Sequence, residues 1–421
     1  IRTFLFVPKK REIGEITPVS VNSEKAVADL AEMIKCKTVS HADPALDDEA
    51  EFLRFEKLLP ELFPAVYKNC NLEKVGDKAL LFRWKGHSSD APTVFMAHYD
   101  VVSVVEEDWD KPAFDGIIEN GVLWGRGTLD TKGTLNGILQ AAESLISEGF
   151  VPASDIYFAF GGDEEVNGHG AFDIVELFRE RGITPGAVID EGGAVATGVF
   201  PGVKAPCALI GIAEKGMLNV EYSVRGGGGH ASSPAPITPV GRLSRACVSV
   251  EEHKFKFRVT KPAAQMFDKL GRHSTFLYRM IFANLWCFGW VLDLLGRKSG
   301  GEMNALLRTT SAFTQMEGSS ARNVIPPEAR MVANMRLNPA DSIDSALAWL
   351  KQTVNDPTVE ITAVDSFEPS RISETDCDAW RMLSATVAET FPGTIVTPYL
   401  MVACSDSRHW GRISDKVYRF C

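Results

Sequence analysis

Four short clusters of imidazole and carboxylate side chains recur along the chain at intervals of about thirty residues. They are His98-Tyr99-Asp100, Asp130 within GRGTLDTKG (125–133), Asp163-Glu164-Glu165 after Gly161-Gly162, and Asp190-Glu191 before Gly192-Gly193. Histidine with carboxylates, and no cysteine among them, suits Zn²⁺ in an open catalytic site, with Mn²⁺ or Co²⁺ as alternatives. Two such ions held roughly 3.5–4 Å apart acidify a bridging water and polarise a carbonyl, which is hydrolytic chemistry. One His-x-Asp, or one Glu-Glu pair, would be weak evidence. Four clusters in order, each after an apolar run or in a glycine-rich turn, are not.

The flanking elements explain that order. Thr93 to Ala97, Asp155 to Phe160 and Ala187 to Ile189 read as buried strands that end at the candidate ligands. Helical periodicity marks Ser23 to Cys36, Glu49 to Leu62, Gly133 to Glu148 and Gly170 to Arg181. Strands alternating with helices predict an α/β fold, a mostly parallel sheet covered by helices on both faces. Its strand ends are where ligands bind.

The pattern changes after about residue 210. Leu218 to Val224 alternates, four glycines (226–229) follow, and a helix fits Pro239 to Glu251. Strands at Thr309 to Met316 and Ala329 to Leu337, a helix at Ser342 to Val354 and a strand at Val359 to Val364 complete a βαββαβ order. This predicts an inserted ferredoxin-like α+β lid domain over 212–368, with an apolar helical insertion at about 253–306. The metal-binding domain would be 1–211 with 369–421. Glycines 226–229 and AEKG (213–216) suit a hinge.

A net charge of −11 argues against nucleic acid as a partner. Eight cysteines without a Cys-x-x-Cys pair read as buried or free thiols in a reducing compartment, so a cytoplasmic location is expected. Ile1 to Lys10 reads either as the tail of a membrane anchor, which would make the protein anchored or secreted, or as a surface strand. Phe276 to Leu295 approaches spanning length, but Arg279, Asn284 and Asp293 interrupt it. It reads as a buried or interfacial helix lining an apolar pocket.

HYDVV, PAFDGIIENGVLWGRGTLDTKG, GGDEEVNGHGA, IDEGG and GGGGHASSP together resemble the zinc exopeptidase family of aminoacylase, carboxypeptidase S and glutamate carboxypeptidase. DEGG, AEKG, the apolar insertion and NVIPPEARMVANMR bring the resemblance nearest to the carboxypeptidase S and N-fatty-acyl-amino-acid hydrolase branch. The resemblance implies two Zn²⁺ ions, with Asp130 bridging, His98 and Asp190 on one metal and Glu165 on the other. Glu191 competes with Asp190 for its place, Asp190 being favoured. Glu164 would be the general base and Asp100 the partner that orients His98. His230 would stabilise the oxyanion, with Asn323, Arg336 and Arg408 binding substrate. A cis Asp130–Thr131 peptide, a homodimer through the lid domain and a last ligand histidine beyond residue 421 are also implied.

The expected function is cleavage of an amide bond beside a free carboxylate, on short peptides as by carboxypeptidase S. Hydrolysis or condensation of N-acyl amino acids is the alternative. A non-catalytic binding protein on the same fold is the third reading, opposed by the presence of Glu164.

Overall fold

The computed structural model describes residues 1–9 and 20–420. They form two compact units. One comprises Arg11–Ala194, Ser373–Thr394 and Ser405–Cys421, the other Ile1–Lys10, Val195–Ile372 and Ile395–Cys404. The expected boundary at 211/212 falls inside the second of these, which also takes the chain's first residues and the strand Ile395–Met401.

The first unit carries all four acidic clusters. Its strands run in the order Cys70–Val75, Ala79–Trp84, Ser154–Gly161, Ser88–His98, Ala187–Asp190, Val417–Arg419. The first two pairings are antiparallel and the remaining three parallel. Side chains alternate between the sheet's faces, so each strand feeds two cores. Leu80, Phe82, Phe158 and Phe160 pack with the helices Glu49–Leu62 and Lys132–Ser147. Leu81, Tyr157 and Ala159 point the other way, onto Ile174, Val175 and Phe178 of the helix Gly170–Glu180. A mostly parallel sheet with helical layers against both faces results, as the apolar runs required.

The helix Glu49–Leu62 shows how local sequence fixes one layer. Asp48 caps it by accepting the Ala50 N–H, and Glu49 and Glu51 complement the positive end of its dipole. Phe52, Phe55 and Leu59 form its buried stripe. Phe55 stacks on Tyr99 at 4.8 Å between ring centroids. Tyr99 lies between His98 and Asp100 in sequence, so the packing supports the site. Phe55→Ala should therefore lower the stability of this unit by about 3–5 kcal/mol. Urea unfolding followed by circular dichroism would show it, and an unchanged midpoint would refute this account of the packing.

In the second unit the order βαββαβ is realised by Gly216–Arg225, Pro239–Glu252, Thr310–Glu317, Glu328–Leu337, Ile343–Val354 and Glu360–Phe367. The four strands are antiparallel, and Gly216–Arg225 and Glu328–Leu337 lie at the sheet's centre. Numbered within this unit, the spatial order is 4-1-3-2, a ferredoxin-like arrangement. The same unit holds a parallel strand pair, Cys207–Glu214 with Ile395–Met401, against which the helix Lys261–His273 packs.

The structure refines two sequence expectations. Ile1 to Lys10 contains a short helix, Arg2–Leu5, rather than a strand. Phe276 to Leu295 forms two helices, Phe276–Ala283 and Leu285–Ser299, bent by 112°. They are only partly buried: Trp286 is 79% and Trp290 66% exposed. Among the described residues no single helix is long and apolar enough to cross a membrane. Hydropathy identifies an apolar segment but does not say which side of it meets protein.

Candidate metal centre

His98 is the last residue of its strand and pairs with Gly161 on the neighbouring parallel strand. The acidic run after Gly161 therefore starts beside the imidazole. Gly162 in that turn tolerates little else. A Cβ at Gly162 would lie 2.7 Å from the Tyr99 ring and hydroxyl.

The His98 ring is buried and held at both nitrogens. Nδ1 lies 3.0 Å from the Asp100 carbonyl oxygen and 3.3 Å from its Oδ1. Nε2 faces Asp130 Oδ1 at 3.0 Å, Glu191 Oε1 at 3.5 Å and Glu164 Oε2 at 3.9 Å. With Nδ1–H donated to Asp100, a cation among the carboxylates would displace the Nε2 proton and meet its lone pair, the tautomer a metal ligand needs. Asp100 also accepts the backbone N–H groups of Glu164 and Glu165 at 3.2 and 3.1 Å, and the Ser40 hydroxyl at 2.7 Å. One buried carboxylate thus positions the histidine and the acidic pair together.

Among the described residues, His98, Asp130 and Glu191 bring ligand atoms within 4.8 Å of one another. Asp190 is not in this group, and its Oδ2 accepts the Ser407 N–H at 3.0 Å. The geometry thus puts Glu191, not Asp190, in the cluster. Adjacent residues at a strand end point in opposite directions, and the chain leaves through Gly192 at φ +105°. The Asp130–Thr131 peptide is cis.

The electrostatics are those of crowded like charges. Burial, then the charge of Asp406, pushes the Glu164 carboxyl up to about 10. Burial and the charge of Asp130 raise Glu165 to about 7. Burial alone would lower the pKa of His98. Hydrogen bonds donated by the ring to Asp100, Asp130 and Glu191 overturn that and hold it well above the usual imidazole range. Among the described residues no lysine or arginine forms an ion pair with Asp130, Glu164, Glu165 or Glu191. The buried Lys132 spends its ammonium on the carbonyls of Met33 and Cys36. One imidazole and several converging carboxylates, without a protein cation among them, fit a divalent metal.

Sequence reasoning missed Asp406, which is buried and pushed up to about 8, first by that burial. Its only signal was an acid in the polar run SDSRH (405–409). Arg408, expected to bind substrate, donates to the Ser405 carbonyl at 2.8 Å and lies 3.6 Å from Asp406, so it shapes this turn.

The other expected substrate residues belong to the second unit. His230 pairs with Val324 in a two-stranded ladder, and the Asn323 carbonyl accepts the Ala231 N–H at 2.9 Å, so these two are neighbours. The His230 ring is exposed and meets the Ser232 hydroxyl at 2.7 Å. Arg336, on Glu328–Leu337, donates to Asn334 Oδ1 at 3.2 Å and to Cys404 Sγ at 3.4 Å.

Known proteins resemble this chain in sequence and fold. A Dictyostelium discoideum protein described as probable carboxypeptidase S-like 2 is 35% identical over 438 residues, covering 100% of this chain and 83% of that protein. The Xenopus tropicalis N-fatty-acyl-amino acid synthase/hydrolase PM20D1 is 34% identical over 412 residues, with 96% and 80% covered. The fold matches an M20 family metallo-carboxypeptidase, Sso-CP2 from Sulfolobus solfataricus, at a TM-score of 0.66 and 18% identity, covering 94% of this chain and 90% of that one. The model of peptidase family M20/M25/M40 matches residues 94–420, which include every acidic cluster described above. This chain therefore belongs to peptidase family M20/M25/M40 and is a hydrolase of the metallopeptidase type.

Proposed function

We propose that the chain is a dinuclear zinc amidohydrolase that cleaves an amide bond beside a free carboxylate, as an exopeptidase of the carboxypeptidase S type. The observation that carries this is the convergence of His98, Asp130 and Glu191 within 4.8 Å, with Glu165 close enough for Asp130 to shift its pKa. In this reading His98, Asp130 and Glu191 would hold one divalent ion, and Asp130 with Glu165 would hold the second. Bound divalent ions would polarise the scissile carbonyl and make water acidic enough to attack near neutral pH.

The remaining steps belong to the protein. Burial among carboxylates raises the proton affinity of Glu164, and bound cations would offset that crowding enough for it to start ionised, as a base must. Glu164 takes the proton of the attacking water as the water oxygen bonds to the carbonyl carbon, then gives it to the nitrogen as the C–N bond breaks. Asp100 keeps the His98 ring and the backbone of Glu164 fixed while charge moves. His230 as oxyanion donor, and Arg336 as a planar fork for the substrate carboxylate, extend the proposal to the second unit.

A second reading, hydrolysis or condensation of N-acyl amino acids, is favoured by the 34% identity to a protein named for that activity. Both readings are tested by loading the purified protein with zinc, counting metal per chain, and assaying N-blocked dipeptides against N-acyl amino acids of increasing chain length. Two zinc ions and a higher kcat/KM on dipeptides support the first reading. A kcat/KM that rises with acyl length supports the second. No amide hydrolysis at full metal loading would reject both.

A further inference from the structure

The bent helical pair Phe276–Ala283 and Leu285–Ser299 has an outer side that the fold does not use. Its inner side is anchored: Phe282, Ala283 and Leu292 are buried, and Phe282 packs with Phe267 and Phe200. Outward, Trp286, Trp290 and Leu294 recur every four residues on one stripe, and all are exposed. Leu277 is exposed beside Phe276, whose ring meets that of Phe4 at 5.5 Å. The helix Arg2–Leu5 thus carries the apolar surface further, with Leu5 also exposed. An apolar face of this kind marks an interaction site.

Charge selects the partner. Residues 253–306 contain nine lysines and arginines against Asp268, Asp293 and Glu302, in a chain whose net charge is −11. Those three acids are engaged: Asp268 by Arg272, Asp293 by Arg297 and Arg308, and Glu302 by the Tyr399 hydroxyl. Arg297 and Lys298, in the last turn of the tryptophan helix, are exposed. A second copy of the same cationic face would be repelled, whereas an anionic surface would be attracted.

Length selects the mode. Leu285–Ser299 has 15 residues. At about 1.5 Å per residue it falls well short of the roughly 30 Å hydrocarbon core. Tryptophan prefers the headgroup level, and a helix with a Trp/Leu stripe near basic residues lies in the interface plane.

We infer that this helical pair docks the protein on anionic phospholipid bilayers, with Trp286 and Trp290 inserted at headgroup depth and Arg297 and Lys298 against lipid phosphates. The full chain should be mixed with phosphatidylcholine vesicles, or with vesicles containing roughly 30% phosphatidylserine, and floated on a density gradient. At about 0.1 M salt, binding to the phosphatidylserine vesicles should exceed binding to phosphatidylcholine by at least about tenfold, and it should fall as salt rises. Brominated lipid should quench the tryptophan emission of the bound protein.

Trp286→Ser/Trp290→Ser/Leu294→Ser should lose binding by about tenfold or more. Lys298→Glu, at an exposed position in the last turn of the tryptophan helix, should weaken the preference for phosphatidylserine with its thermal unfolding midpoint unchanged. Wild-type protein that fails to float with either vesicle would overturn the inference. So would binding that both variants retain, or a wild-type dimer, inert toward vesicles, that the tryptophan variant converts to monomer.

Discussion

Glu164→Gln is expected to lower kcat by about 10²–10⁴-fold while zinc content stays at the wild-type level. Glutamine matches the shape of glutamate but cannot take a proton from water. The backbone N–H of Glu164 is held by Asp100 whichever side chain is present, so the turn should survive. Glu164 Oε2 lies 3.9 Å from His98 Nε2, further than the Asp130 or Glu191 oxygens. That suits a group that works on water beside the ligand cluster. Zinc analysis and steady-state kinetics on one preparation separate the possibilities. Loss of zinc with activity would make Glu164 a ligand, and retained turnover would remove it from the proton path.

Glu191→Ala is expected to lose zinc affinity by more than the roughly 10–100-fold that removing a ligand's outer partner costs. Asp190→Asn should change it by less than about tenfold. Asparagine keeps an oxygen for the Ser407 N–H that Asp190 now accepts, so the turn at 405–407 should persist. Zinc titration of the metal-free variants by calorimetry reads both effects. If Asp190→Asn lost the metal and Glu191→Ala kept it, the resemblance would have assigned the ligand correctly and the geometry would be misleading.

Those neighbours also show where sequence stops being informative. Apolar runs located the strand ends, because a buried parallel strand must be apolar throughout. The helix expected at Glu49 to Leu62 has the bounds Glu49–Leu62, since Asp48 signals its start and Phe52, Phe55 and Leu59 its buried stripe. Which of two consecutive acids points inward depends on where the chain leaves the strand, and that information lies in backbone conformation. Asp406 left no pattern at all. Its burial comes from tertiary packing, and a lone acid in a polar run looks like surface. For the segment 276–295 composition left a buried and an interfacial helix open, because hydropathy does not say which side meets protein; its tryptophans face outward.

Besides the Ser40 hydroxyl, the one carboxylate of Asp100 serves three residues of the metal centre: the ring of His98 and the backbones of Glu164 and Glu165. Damage at such a hub does not sum over its dependents. Once Asp100 is gone, a further lesion at Glu165 removes what has already been misplaced, so free-energy losses saturate instead of accumulating. The hub is therefore a unit of inheritance as much as of geometry. A lineage that drifts away from catalysis has little to conserve in the others once it has lost this one.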